Sequence, residues 1–207
     1  MIIAPPKQNP LQRPNRGWHS RGYLPHFDSD NEIQSLNYRL FDAVPIPLIK
    51  EWRRQLGWYR NLNQNDPKAV ALRRLIETYE DAGYGACFLR HPQIAKLIED
   101  ALLYFDGERY RLLAWCVMPN HVHSLFEMIA GYSLGGILHS LRSYTAKEAN
   151  RILGRTGRFW DDDYFDRYIR DENHLQNAID YIEQNPVKAG LVTGAAQWKY
   201  SSARRRR

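Results

Sequence analysis

The chain has 207 residues, of which 43% are hydrophobic and 13% aromatic, a composition that excludes a disordered protein and fits one compact domain with a sizeable core. The formal net charge is +6, and positive charge is concentrated at both ends of the chain. The basic residues at these ends are Lys7, Arg13, Arg16, Arg21 and the run from Arg204 to Arg207. Basic ends favour a polyanionic partner such as nucleic acid, although arginine-rich ends can also serve solubility alone.

The two cysteines, Cys87 and Cys116, have the spacing of neither a metal site nor a disulfide framework, which is typical of a protein in a reducing cytoplasm. The first residues, MIIAPPKQNP, reach prolines before the apolar segment of a signal peptide could form. No apolar run approaches the length of a membrane span. We therefore expect a cytoplasmic protein without a membrane partner.

Residues 1–30 are rich in Pro, Arg, Asn and Gly and are predicted to form a basic, extended arm. Next comes SLNYRLFD, in which Leu36, Tyr38 and Leu40 alternate with polar residues and predict a half-buried strand. A helical insert is predicted over about residues 45–83, because two helical patterns follow one another there.

The remaining elements begin at residue 91. The segment HPQIAKLIEDALLYFDG has the apolar spacing of a helix. Two strands follow, ERYRLLAWCVMPN and HVHSLFEMI, and the first is apolar on both faces, as is typical of a central strand. Then come a helix, SLGGILHSLRSYTAKEANRIL, an edge strand or extended segment, RFWDDDYFDRYIR, and a last helix, DENHLQNAIDYIEQ. This helix is expected to end near Asn185 because Pro186 follows.

The order of these elements predicts an α+β fold in which helices cover one face of an antiparallel sheet. A single domain is expected over residues 31–203, followed by a basic tail at residues 204–207. No internal repeat is visible in the sequence.

His121 and His123 stand two residues apart in a predicted strand, so their imidazoles lie on the same face of the sheet. Two imidazoles on a rigid strand form half of a metal site. The alternative is a pair of buried or half-exposed histidines that bind nothing.

The last predicted helix offers partners for this pair. Tyr181 and Asn185 are four residues apart and therefore lie only about 40° apart around the helix axis, on the flank of its apolar stripe. His174 falls on the same flank as a possible accessory residue. Asn185 offers an oxygen ligand, and Tyr181 offers a phenol that can act as a nucleophile. Equally, Tyr181 can be a boundary packing residue and Asn185 a helix terminator.

Two other groups of residues compete for the same roles. Tyr144 and Glu148 are also four apart on a helix, but Tyr144 continues an apolar stripe and is predicted to face the core. The run from Asp161 to Asp163 could hold a metal, but successive like charges usually mark a solvated turn.

Two motifs resemble a known family. The segment MPNHVHSLFE resembles the His-hydrophobic-His motif of the HUH nucleases. The segment FWDDDYFDRYIRDENHLQNAIDYIEQNPVKAGLV is similar to the C-terminal signature of the REP-associated tyrosine transposases, relatives of the smallest bacterial insertion-sequence transposases. The resemblance runs from about Gly22 to Ser202, and its specificity comes from the order in which the motifs occur.

The resemblance implies a ferredoxin-like sheet with the histidines on a central strand. It also implies that His121 and His123 bind a divalent metal ion, Mg²⁺ or Mn²⁺, that Tyr181 is the nucleophile, and that Asn185 completes the metal site. The helical insert is longer than in the compact members of the family.

The implied activity is that of a single-stranded DNA endonuclease and strand transferase, acting on hairpin or palindromic repeat DNA through a 5′-phosphotyrosine. The protein would be a monomer or a homodimer. Two alternatives stay open at this point: a metal phosphodiesterase that activates water, and a non-catalytic DNA-binding protein derived from a transposase. The expected DNA contacts are Arg167, Tyr168, Arg170 and Lys188.

Overall fold

The computed structural model describes residues 32–57 and 66–205 with their side chains, and the backbone of residues 17–20 and 25–28. The helices of this part of the chain are α1 (Ile46–Gln55), α2 (Pro67–Asp81), α3 (Pro92–Tyr104), α4 (Leu134–Ile152) and α5 (Glu172–Lys188). Its strands are β1 (Gly17–Ser20), β2 (Pro25–Asp28), β3 (Ile33–Arg39), β4 (Tyr110–Val117), β5 (His121–Met128) and β6 (Phe165–Tyr168).

Strands β3 to β6 form one antiparallel sheet in the order β4-β5-β3-β6. With α3 between β3 and β4, and α4 between β5 and β6, this is the ferredoxin-like arrangement. The predicted α+β class and antiparallel sheet are confirmed, and the histidines begin a central strand, β5. The strand β6 lies at an edge, as predicted.

The prediction that β4 is a central strand is wrong, because β4 lies at the other edge of the sheet. Its outer side is covered by the last described segment of the chain. The N–H of Val117 donates to the carbonyl of Tyr200 at 2.9 Å, and Cys116 forms an antiparallel bridge with Ser201. This cover explains why β4 has the apolar sequence of an interior strand.

Helices lie on both faces of the sheet, so the prediction that they cover one face is also wrong. On one face, α3 and α4 pack on the apolar side chains of β3, β4 and β5, among them Leu36, Val122 and Phe126. On the other face, α5 packs on a second cluster that includes Ala114, Leu125 and Ile182. The sequence order shows how many helices there are but not the face on which each one lies.

The insert contains the two predicted helices. Helix α2 begins where the Asp66 carboxylate accepts a hydrogen bond from the N–H of Lys68, with Pro67 at the first helical position. The two helices share a small apolar cluster that includes Ile49, Leu72 and Ile76 and packs against Phe165 of β6. The insert is therefore attached to the edge of the sheet.

Helix α5 runs through Pro186 to Lys188, one turn beyond its predicted end. It begins at Asp171, whose side chain accepts a hydrogen bond from the N–H of His174. A proline near the end of a helix removes one backbone donor without preventing the last turn, and here the N–H of Ala189 still bonds to the carbonyl of Asn185 at 2.9 Å.

Two expectations about side chains are corrected by the structure. Tyr144 is 55% exposed, because the buried stripe of α4 continues through Thr145 and Ala149 instead. Asp161 and Asp163 are buried and are not part of a solvated turn, since Asp161 forms an ion pair with Arg39 at 2.8 Å.

Most of the predicted arm, residues 1–30, lies outside the described residues. Within it, β1 and β2 form a two-stranded antiparallel hairpin that the sequence did not predict. Arg204 belongs to a short 3-10 helix, and residues 206–207 of the predicted tail lie outside the described range. None of the helices described here is both long and apolar enough to cross a membrane.

Candidate active site

The two histidines of β5 point to the face of the sheet that is covered by α5. Their Nε2 atoms are 2.9 Å apart, and the residues are only 1% and 4% exposed. The strand alternation therefore brings the imidazoles together on one face, as predicted from their spacing.

Burial keeps both imidazoles neutral. It lowers the pKa of His121 to about 3, with a further contribution from the positive charge of Arg39. Burial also lowers the pKa of His123 well below its ordinary value, and His121 adds to this effect. A neutral imidazole has the lone pair that a metal ion requires.

Asn120 fixes the orientation of the first imidazole. Its Nδ2 donates to the carbonyls of Glu80 and Tyr84, at 3.1 and 2.9 Å, so its Oδ1 is the acceptor that lies 2.7 Å from Nδ1 of His121. With Nδ1 donating to Asn120, the Nε2 lone pair of His121 points toward His123. Such a neighbour commonly sets the tautomer of a metal-binding histidine.

Asn185 provides an oxygen atom without a hydrogen-bond partner. The residue is fully buried, and its Nδ2 donates to the carbonyl of Tyr181 at 3.0 Å. Its Oδ1 is buried and accepts no hydrogen bond from any part of the chain that the structure describes. A buried acceptor without a partner is costly, and a cation beside it would remove that cost.

Tyr181 lies one turn before Asn185, and its ring contacts His123 and Lys188. Its ring meets that of His123 edge to face at a centroid distance of 5.7 Å, and Nζ of Lys188 lies 4.2 Å from its ring centroid. Burial is the main cause of the raised pKa of Tyr181, and the negative charge of Glu77 adds to it. The phenol therefore needs a proton acceptor or added positive charge to ionise.

Acidic residues of the insert helix α2 also reach the site, and the sequence did not single them out. Asp81 Oδ1 lies 3.6 Å from Nε2 of His121, and burial raises the pKa of Asp81 to about 6. Glu80 accepts hydrogen bonds from Asn37 at 3.0 Å and Arg39 at 3.2 Å. A sequence signal existed, because Glu80 continues the buried stripe of Ala69, Leu72 and Ile76. In residues 32–57 and 66–205, no group of three His, Cys, Asp or Glu side chains is arranged to hold a metal ion.

A cavity of about 320 Å³ opens beside Tyr181, between α2, α5 and β6. Its polar lining is mainly basic, with Arg73, Arg74 and Arg167. The Arg73 guanidinium lies 3.9 Å from the ring centroid of Phe165, and burial lowers its pKa to about 10, so it stays charged at neutral pH. Two larger cavities, of about 440 and 450 Å³, lie beside α4 and contain none of the predicted site residues.

The structure separates the four predicted DNA contacts. Arg167 lines the cavity beside Tyr181, and Lys188 lies against the Tyr181 ring. Tyr168 follows Arg167 on β6 and therefore points to the opposite face of the sheet. Arg170 is exposed just after β6, where its N–H donates to Nδ1 of His174 at 3.3 Å. His174 lines the far end of the cavity, about two helical turns from Tyr181.

Comparisons with known proteins agree with this geometry. A family model described as "Transposase IS200 like" matches residues 93–185, a segment that contains both histidines, Tyr181 and Asn185. The chain is 30% identical over 107 residues to a REP-associated tyrosine transposase of Haemophilus influenzae, covering 46% of this chain and 60% of the relative. It is 24% identical over 111 residues to the REP-associated tyrosine transposase of Escherichia coli, covering 53% of this chain and 65% of the relative.

The aligned region thus spans less than two thirds of either relative. Among solved structures, the chain resembles the REP-associated tyrosine transposase bound to a REP hairpin, with a TM-score of 0.54 and 15% identity. The similarity covers 87% of this chain and 81% of that chain. It establishes the shared fold.

Proposed function

We propose that this chain is a metal-dependent, transposase-like enzyme that cuts and rejoins single-stranded DNA, because residues 93–185 match the IS200-like transposase family model. Tyr181 is the nucleophile in this proposal, and it forms a covalent bond to a 5′ phosphate. One observation carries the proposal: Tyr181 packs against His123 of the facing histidine pair, one turn before Asn185, whose buried oxygen has no partner among the described residues.

The donor set fits a divalent metal ion. His121 and His123 would bind it through nitrogen, and Asn185 would bind it through Oδ1, the buried atom that otherwise lacks a partner. Mixed nitrogen and oxygen ligands suit Mn²⁺ and also admit Mg²⁺. When bound, such an ion stabilises negative charge on a phosphoryl oxygen as a Lewis acid.

The chain's own residues supply the nucleophile and its surroundings. The Oη atom of Tyr181 forms a bond to phosphorus, and the bond from phosphorus to the 3′ oxygen breaks, leaving a 3′ hydroxyl on one DNA end. Lys188 beside the ring favours the phenolate form, because its positive charge lies close to the developing negative charge. The phosphotyrosine bond replaces the phosphodiester bond, so a second 3′ hydroxyl can reverse the step without ATP.

The basic cavity supports single-stranded DNA as the substrate. Arg73, Arg74 and Arg167 line the same cavity as Tyr181, so they can neutralise the phosphates of a strand bound there. A single strand can reach a phenol between two helices more readily than a duplex can. The hairpin bound by the structural neighbour supports hairpin DNA as the form in which the strand is presented.

The proposal is tested by incubating the protein with Mn²⁺ and a labelled single-stranded hairpin DNA, then scoring a covalent protein–DNA adduct on a denaturing gel. We expect an adduct that is lost with chelator, with the DNA mapped to Tyr181 by peptide mass spectrometry. Cleavage without an adduct would instead support a phosphodiesterase that activates water. Tight binding without cleavage would support a DNA-binding protein without catalytic activity.

A further inference from the structure

The insert helix α2 forms one wall of the site, although the family match begins at residue 93 and leaves the insert out. Three residues of α2 reach the site from this wall. Arg73 and Glu77 line the cavity beside Tyr181, and Asp81 approaches His121. Their spacing of four residues places all three on one side of the helix. The insert therefore presents charged groups to the reacting centre.

Glu77 is the acidic group of this wall that faces Tyr181. The two side chains line the same cavity from opposite helices, and the negative charge of Glu77 helps to raise the pKa of Tyr181. Helix α2 and strand β6 also place charges around it. The charged and titratable groups that face Glu77 are Arg73, Glu80, Asp81, Arg167 and Tyr181.

The other acidic groups nearby are engaged elsewhere. Glu80 is buried and holds Asn37 and Arg39. Asp81 lies beside His121, on the side of the histidine pair. Glu77 is thus the acidic residue that lines the same cavity as the Tyr181 phenol.

We propose that Glu77 accepts the proton of Tyr181 during DNA cleavage, so that the helical insert supplies a catalytic residue. This inference rests on the proposed function of Tyr181 as nucleophile. In the step, the Oη–H bond breaks and its proton passes to the Glu77 carboxylate while Oη bonds to phosphorus. The departing 3′ oxygen takes a proton from solvent water, and protonated Glu77 returns its proton to solvent.

The surroundings suit this role at neutral pH. Burial raises the pKa of Glu77 to about 7, and the positive charge of Arg73 opposes that shift. A general base is most effective when its pKa lies near the working pH, because it is then both ionised and basic enough to take a proton. The cleavage rate should therefore rise with pH through about 7.

The test compares Glu77→Gln with the wild type under single-turnover conditions, with Mn²⁺ and saturating hairpin DNA. Glutamine keeps the shape of the side chain but cannot take a proton. We expect adduct formation to slow by about 100-fold or more, with DNA affinity unchanged and the rise in rate through about pH 7 lost. Glu77→Asp should recover part of the rate and the pH dependence.

Two controls make the test specific. Asp180→Asn removes an exposed carboxylate next to Tyr181 in sequence that bonds only to Gln176 at 2.9 Å among the described residues, and it should react at the wild-type rate. A DNA with sulfur in place of the bridging 3′ oxygen has a leaving group that needs no proton. Glu77→Gln should still form the adduct slowly with this DNA, because the carboxylate that it lacks acts on the Tyr181 hydroxyl and not on the leaving group.

The outcomes separate this inference from the proposed function. If the wild type forms no adduct, the function of Tyr181 itself is wrong. If the wild type forms the adduct and Glu77→Gln matches its rate and pH profile, Glu77 is not the proton acceptor. If the sulfur-containing DNA restores the rate of Glu77→Gln, Glu77 acts on the leaving group instead, and the inference is overturned.

Discussion

The two faces of the sheet are built from the same strands, but among the described residues only one of them carries buried histidine and arginine side chains. Toward α3 and α4, β3 and β5 present Leu36, Tyr38, Val122 and Phe126, all buried within one large apolar cluster. Toward α5 and α2, the same strands carry a polar group, Asn37, Arg39, His121 and His123, beside the apolar Ile33 and Leu125. One layer is therefore mainly apolar, and the other contains the candidate site.

The polar layer is buried as deeply as the apolar one, which is costly unless its charges are paired. Arg39 meets this requirement with Asp161 on one side, at 2.8 Å, and Glu80 on the other, at 3.2 Å. This network joins β3, the segment before β6 and the insert helix α2. The network places paired charges beside the histidine pair, which apolar side chains could not do.

The largest effect on activity should come from removing one oxygen atom beside the polar layer. Tyr181→Phe removes the phenol oxygen and keeps the ring, so adduct formation should fall by about 10³-fold or more while DNA still binds. Tyr144→Phe is the matched control, because Tyr144 is exposed on α4, on the opposite side of the sheet. A single-turnover adduct assay measures both. Loss of the adduct in Tyr144→Phe alone would show that the nucleophile lies on α4 and not on α5.

The apolar layer should dominate stability. Phe126 is fully buried and packs edge to face on Tyr110 at a centroid distance of 4.6 Å. Phe126→Ala should lower the free energy of unfolding by about 3–5 kcal/mol in urea titrations. His123→Ala should cost less in the metal-free protein but should remove the stabilisation that Mn²⁺ gives the wild type. If the two variants were equally unstable without metal, the division between the layers would not hold.

A smaller effect concerns pH and one carboxyl group. Burial raises the pKa of Glu77 to about 7 in the folded protein, so its contribution to stability is fully present below about pH 4.5 and is lost as pH rises through 7. Glu77→Gln should therefore be more stable than the wild type at pH 8, by about 1–3 kcal/mol relative to their difference at pH 4.5. Urea titrations at both pH values measure this. A variant that is less stable at pH 8 would mean that Glu77 serves the fold.

The smallest effect is expected from the cavity that continues the polar layer. Arg167→Ala should weaken single-stranded DNA binding by about 5- to 10-fold and reduce the salt dependence by about 0.7 in log–log slope, the value for one phosphate contact. Arg151→Ala, on the surface of α4 and paired with Glu148 at 2.8 Å, is the control. Fluorescence anisotropy over a salt series measures both. An unchanged slope for Arg167→Ala would exclude a phosphate contact there.

The periodic elements could be predicted from the sequence because each depends on local spacing. The alternation around Leu36 and Tyr38 predicts β3, and the two-residue spacing of His121 and His123 predicts that they share a face. The positions of Tyr181 and Asn185 on one flank of α5 likewise follow from helix geometry. These are the parts of the candidate site for which local periodicity is sufficient.

The remaining features depend on contacts between distant segments. Nothing in the sequence of β4 shows that its edge would be covered by Tyr200 and Ser201. The approach of α2 to the histidines likewise depends on how the insert packs on β6. The position of Glu77 beside Tyr181 therefore could not be predicted, although its helix could. The alternation of β3 predicts an exposed Arg39, which is instead buried because its two partners lie 41 and 122 residues away.

The cover over the edge of β4 has a consequence for assembly. An uncovered edge strand offers a row of free backbone groups on which another chain can extend the sheet. Here Tyr200 and Ser201 already take that place, and the Ser202 hydroxyl accepts from the N–H of Trp115 at 3.1 Å. A second copy of this chain could not pair with β4 at residues 115–117 without first displacing that segment.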